Sequence, residues 1–194
     1  MKDYKILNIK GTLLDKVQLE SYLEKIASDN ILQAKSSKET YPIPRLKENY
    51  EIITQIYELL TEHIKLKIPI HPAGEWILDN YYIIEEAVKS IVKDITLKKY
   101  TNFPGIATGP YAGFARIYEL AGEIVAYTDC KIDGKILPEF LKAYQSKKNL
   151  NMEEIWNIGL FLNIAIIENI REICEKIYTS QMQKYKAENI VERL

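Results

Sequence analysis

Residues 73–95 read Ala73-Gly74-Glu75-Trp76-Ile77-Leu78-Asp79-Asn80-Tyr81-Tyr82-Ile83-Ile84-Glu85-Glu86-Ala87-Val88-Lys89-Ser90-Ile91-Val92-Lys93-Asp94-Ile95. Ile77, Tyr81, Ile84, Val88, Ile91 and Ile95 recur three and four residues apart, which puts them on one stripe of a helix with 3.6 residues per turn. Glu75, Asp79, Tyr82, Glu86, Lys89 and Lys93 fall on the opposite side. A half-buried strand would instead alternate at period two, and no segment of the chain does so convincingly. The pattern therefore predicts an all-α protein without a sheet.

Working upstream, Leu46, Tyr50, Ile53, Tyr57, Leu60 and Ile64 predict another long amphipathic helix from Arg45 to about Lys65, stopped by Pro69 and Pro72. Gln33 to Pro44 is polar and turn-prone and reads as a linker between an N-terminal arm, residues 1–40, and a helical body, residues 41–194. Within the arm, residues 1–15 show no clean period, and a short helix is expected from about Lys16 to Ser28.

Working downstream, Thr96 to Pro110 reads as a long loop of the kind that is either functional or closely packed down. A helix from about Tyr111 to Thr128 follows, with Pro110 as its first-turn proline; its many Ala and Gly residues admit close neighbours and suit a central position. Asp129 to Gly134 makes a turn into a short helix around Leu137 to Ser146. Asn151 and Glu154 form a capping-box-like start for a last helix running to the C-terminus. Ile155 to Ile167 is apolar nearly all round, so this half is expected to be buried on every side, while Glu175 to Leu194 turns amphipathic and charged. The expected architecture is an irregular bundle of about five to seven helices with one largely buried central helix.

Charge and cysteine content narrow the function classes. The chain has 26 Lys plus Arg against 27 Asp plus Glu, so no broad positive field favours a nucleic acid. Neither Cys130 nor Cys174 sits in a metal-binding or redox spacing, and a reduced, cytoplasmic setting is expected. Met1 to Leu7 develops no signal-like run. The most apolar stretch, Ile158 to Ile167, is about half the ~20 residues that a membrane span needs.

The chemistry-bearing patterns are sparse. A helical di-metal site needs inward Glu residues and Glu-x-x-His pairs, and the only histidines, His63 and His71, supply none. Asp129, Asp133 and Gly134 match positions of a calcium loop, but Lys131 and Phe140 stand where two ligands belong. Glu75 and Asp79 lie one turn apart as glycosidase carboxylates could, yet they share their face with lysines, so a solvated or contact face is the simpler reading. Glu168 and Arg171 suggest a buried ion pair that sets helix register. Trp76, Tyr118, Tyr144 and Trp156 could stack on sugar rings, though aromatics at helical spacing usually serve the core. No metal or other cofactor is expected.

The chain resembles the N-terminal region of the large bacterial cyclic β-1,2-glucan synthases. The likeness rests on Glu75-Trp76-Ile77-Leu78-Asp79-Asn80-Tyr81-Tyr82, then in order Phe103-Pro104, Gly109-Pro110, Gly113, Arg116-Ile117-Tyr118, Thr128-Asp129, Phe140, Ala143-Tyr144-Gln145, Glu154-Ile155-Trp156 and Glu168-Asn169-Ile170-Arg171. It spans about Arg45 to Ile177. Ala115, Gly159 and Asn163 depart from the family's pattern. The resemblance implies a parent enzyme, inner-membrane associated, that builds β-1,2-glucan from UDP-glucose with catalytic groups outside this chain. This segment would then be non-catalytic and would scaffold or regulate, with the remaining domains of the parent as partners. An independent carbohydrate-acting or carbohydrate-binding domain, contacting β-1,2-glucan, is the alternative. The candidate binding or docking residues are Glu75, Trp76, Asp79, Asn80, Arg116, Tyr118, Asp129, Tyr144, Glu154, Trp156, Glu168 and Arg171.

Overall fold

A computed structural model describes the backbone of residues 13–191 and the side chains of residues 13–180. The expectations for Met1 to Leu7 and for the patternless start of the arm, up to residue 12, lie outside the described residues, as does the charged face expected beyond residue 180. Seven α-helices carry the described fold: α1 (Lys16–Asp29), α2 (Ile43–Lys65), α3 (Pro72–Asp94), α4 (Leu97–Tyr100), α5 (Arg116–Thr128), α6 (Ile136–Gln145) and α7 (Met152–Val191). The chain folds as an all-α protein. Among the described residues no helix is long and apolar enough to cross a membrane.

Two compact units divide the chain: residues 13–43 with 91–166, and 44–90 with the second half of α7. In the first unit α5 is the central helix, buried from Arg116 to Gly122 and again from Ile124 to Ala126. Leu19, Leu23 and Ala27 of α1, Phe140 and Tyr144 of α6, and Phe161 of α7 complete this unit's core. Start signals are local. Asp15 caps α1 through a reciprocal pair with Gln18, at 2.9 and 3.0 Å, and Asn151 does the same for α7 with Glu154, both bonds there being 2.8 Å.

Three features of this unit differ from the sequence expectations. A minimal antiparallel sheet exists, pairing β1 (Leu32–Gln33) with β2 (Gly105–Ile106). It arises because residues 31–41 are tied across the unit: Ser36 N–H donates to Phe103 C=O at 2.8 Å, Ser37 N–H to Gly113 C=O at 2.7 Å, and Ser36 Oγ to Tyr100 C=O at 2.6 Å. Gly105 is required there, since a Cβ would stand 2.6 Å from the Lys35 carbonyl oxygen. The central helix begins at Arg116 and not at Tyr111. Gly109 and Gly113 both take left-handed φ, +86° and +87°, so residues 109–114 form a turn and Pro110 is not a first-turn residue. Finally, α7 is not buried on every side from Ile155 to Ile167: Trp156, Gly159 and Asn163 form an exposed edge. The expected long loop, 96–110, is packed down through α4 and the buried Tyr100 and Phe103.

The second unit rests on two amphipathic helices. Ile53 and Leu60 of α2 and Ile77, Ile84 and Val88 of α3 are buried, as their spacing predicts; Ile56, outside the expected stripe, is buried with them, and Ile64, expected on it, is 54% exposed in the last turn of α2. Tyr81 stacks on Tyr57 with ring centroids 4.0 Å apart, and its hydroxyl donates to the Tyr50 hydroxyl at 2.9 Å. Ile167, Cys174 and Ile177 line the core face of α7 in this unit.

Candidate functional site

The polar residues singled out by sequence separate into a buried set and an exposed set. Arg116 opens α5 and Glu154 opens α7, and both are nearly sealed from solvent, with side chains 5% and 0% exposed. Arg116 Nε and one terminal nitrogen each donate to a Glu154 carboxylate oxygen at 2.7 Å, and that nitrogen also reaches the Asn149 carbonyl at 2.8 Å. Glu154 accepts in addition from Asn151 N–H, so its carboxylate is fully used by the fold. Tyr144 lies beside this pair with its hydroxyl buried and directed at Arg116. Burial pushes that hydroxyl up to about 12 against the opposing pull of Arg116.

Glu168 occupies the equivalent role in the second unit. It accepts from Arg45 at 2.7 Å and from the Asn49 side-chain amide, both on α2. Arg171 stands 4.0 Å from Glu168 and bonds Glu175 at 2.7 Å. The expected Glu168–Arg171 association therefore exists, but the stronger partner of Glu168 is Arg45, which sequence reading did not connect to it.

Glu75 and Asp79 lie exposed on α3, and no hydrogen bond or ion pair engages them among the described residues. Asn80 donates to the Trp76 carbonyl at 2.8 Å, within the same helix. Asp129 is exposed at the C-cap of α5 in the left-handed region, φ 52°, and pairs with Lys131 at 3.6 Å. Asp133 caps α6 through Lys135 and Ile136 N–H, which holds its carboxyl below the usual range. Among the described residues no group of three His, Cys, Asp or Glu side chains is placed to hold a metal ion.

The aromatics divide against expectation. Tyr118, stacked on Phe114 at 5.4 Å, and Tyr144 are core residues. Trp76 and Trp156, expected in the core, are 52% and 76% exposed. Trp76 lies between Glu75 and Ile77 and Trp156 between Ile155 and Asn157, and each is on the outward edge of its own helix.

Sequence reading also missed a carboxylate pair. Glu119 and Glu123 lie one turn apart on α5, with Glu119 buried and Glu123 half-buried. Asn30, the C-cap of α1, donates its amide to Glu119. Glu123 accepts from Tyr22 at 3.0 Å and from Tyr111 at 3.2 Å. Burial pushes Glu119 up to about 7, with Asn30 opposing and Glu123 adding to the rise. Burial likewise raises Glu123, opposed by the two tyrosine hydroxyls. The available signal was two acids inside an otherwise apolar helix, Ile117 to Ala126.

Two expected outcomes test this geometry. Arg116→Ala leaves Glu154 charged and buried, so chemical denaturation should show a loss of about 3–5 kcal/mol, whereas the double change Arg116→Met with Glu154→Leu should cost less than Arg116→Ala alone. Glu119 is protonated more easily folded than unfolded, so its stabilising share is present below its unfolded value near 4.5 and is lost as pH rises through about 7. Thermal melts between pH 5 and pH 8 should therefore show falling stability with rising pH, amounting to about 3 kcal/mol at most, and Glu119→Gln should flatten that slope.

No family model matches the chain. Over 150 residues it is 26% identical to the cyclic beta-(1,2)-glucan synthase NdvB of Rhizobium meliloti (strain 1021), a match that covers 77% of this chain and 5% of that protein. The chain thus spans a small fraction of the length of the curated relative it matches. The similarity supports a relationship to cyclic β-1,2-glucan synthases at the level of the family, carried by a helical segment.

Proposed function

We propose that this chain is a non-catalytic helical accessory segment of a cyclic β-1,2-glucan synthase-like enzyme, scaffolding or regulating UDP-glucose-dependent glucan synthesis by the parent's other domains. The setting is the cytoplasmic side of the inner membrane, where the parent resides. One observation carries the reading: of the charged groups quoted for the resemblance, Arg116, Glu154, Glu168 and Arg171 are engaged in internal bonds, while Glu75 and Asp79 lie exposed with no hydrogen bond or ion pair among the described residues. Groups spent on holding helices in register are not available for proton transfer. Free charges beside an exposed tryptophan are suited to meeting another surface.

Exposed aromatics favour a second reading, contact with β-1,2-glucan itself. Trp156 is 76% exposed at the outward edge of α7, a position from which an indole face can stack on a sugar ring. The two readings differ in what they require of α3.

Reconstituting the parent enzyme with Glu75→Ala and Asp79→Ala should lower glucan synthesis or assembly by about fivefold, the range of a modest contact residue. Unchanged synthesis and assembly would sink the accessory reading. In the same preparation, titration of the wild-type segment with β-1,2-glucan oligomers should leave tryptophan fluorescence unmoved at millimolar sugar, and a saturable change lost in Trp156→Ala would favour the glucan-contact reading instead.

A further inference from the structure

We propose that the outer face of α3 is self-complementary and that a second copy of this chain docks on it, antiparallel. This rests on the reading of α3 as a contact face and names its occupant. Glu75, Asp79, Tyr82, Glu86, Lys89 and Lys93 recur at alternating intervals of four and three, so they form one row along the helix, and all are exposed. The row is acidic at its N-terminal end and basic at its C-terminal end. Turning a second copy through 180° about an axis perpendicular to the helix sets Glu75 opposite Lys93, Asp79 opposite Lys89 and Tyr82 opposite Glu86. Every charged end then meets its opposite, whereas a parallel pairing would place like charges together.

Apolar area lies beside this row. Tyr82 is 65% exposed, and Trp76 and Ile83, on one flank of the row, are 52% and 50% exposed. The same two-fold axis brings equivalent flanks of the two copies to one side, so that Ile83 of one copy lies beside Ile83 of the other. Exposed ion pairs contribute little each and are screened by salt, so in this arrangement the apolar flank supplies the contact area and the charges supply direction and register. Lys89 presently bonds Glu85 and Glu86 of its own helix, each at 3.1 Å, while Glu75, Asp79 and Lys93 have no such partner among the described residues. Another domain of a parent enzyme would need opposite charge somewhere, but would not need this row to be complementary to itself. That antisymmetry is what selects a second copy.

Sedimentation velocity of the 194-residue chain, from about 10 µM to about 1 mM at low salt, should show a monomer–dimer equilibrium that weakens as salt rises. E75K/D79K and K89E/K93E should each weaken association by about tenfold or more, and an equimolar mixture of the two should restore it as a heterodimer, because one row is then basic at both ends and the other acidic throughout. Circular dichroism of each variant reports whether the helices persist, and the mixture controls for loss of folding. A wild-type chain that stays monomeric at about 1 mM, variants that associate as the wild type does, or a mixture that fails to associate would each overturn the second copy as occupant. If the chain is monomeric while Glu75→Ala and Asp79→Ala still impair synthesis by the parent, the accessory reading stands and this inference alone falls.

Discussion

The bidentate pair between Arg116 and Glu154 is the constraint on which the first unit depends. Two ions out of water cost several kcal/mol each, and only good geometry and complete hydrogen bonding offset that. Here the geometry is good, with two bonds of 2.7 Å and the leftover capacity of each group used by Asn149 and Asn151. Because Arg116 is the first residue of α5 and Glu154 sits in the first turn of α7, the pair joins the starts of both helices. Sliding either helix by one residue would strand a charge. The register of α5 then determines what lies further along it: Glu119 under Asn30, and Glu123 between Tyr22 and Tyr111.

This also explains why a buried carboxylate pair need not signify catalysis. Glu119 and Glu123 resemble a catalytic dyad only in spacing and raised pKa. Their partners are a helix cap and two tyrosine hydroxyls, all from this unit, and these contacts tie α1 and the 109–114 turn to α5. Burial pushes Glu119 up to about 7 against the pull of the Asn30 amide, so near neutrality it takes up a proton and becomes a hydrogen-bonding group rather than an ion. Perturbed titration is evidence of function only when a cleft brings substrate to it. Glu168 is likewise taken up by the fold, its oxygens occupied by Arg45 and Asn49.

The helices with two distinct faces were legible in the sequence, and those set by distant contacts were not. Ile77, Ile84, Val88 and Ile91 announce α3 because each side chain's environment follows from helical period alone, and Asn151 with Glu154 announces α7 because a capping box is local. The start of α5 was misplaced because Gly113 takes a left-handed φ, and its carbonyl is held by Ser37 N–H and Thr40 from a segment some seventy residues earlier in the chain. Two-residue strands carry no period to detect. At the site level, Arg45 could not be matched to Glu168 across 123 positions, whereas Glu168 and Arg171, three apart, could. Trp156 does not reveal its exposure because it opens a stretch, Ile155 to Ile167, with apolar residues on nearly every side: periodicity tests a face, and such a helix offers no face to test.

Exposure and internal bonding together separate the two roles of polar groups in this chain. A residue held in a motif can be there to fasten the fold or to meet something outside it, and the two make opposite demands on solvent access. Arg116, Glu154 and Glu168 are buried and saturated, so replacing them disturbs folding first and anything else only through folding. Glu75 and Asp79 are exposed and unbonded, and acidic residues in the first turns of a helix gain only a modest dipole term that many other sequences would supply equally. Their position on the opposite side from Ile77 and Ile84 means that core packing places no demand on them. The stretch Glu75 to Tyr82 is thus where folding requires least of the outward side chains, which is why a contact beyond this chain is the more economical account of what stands there.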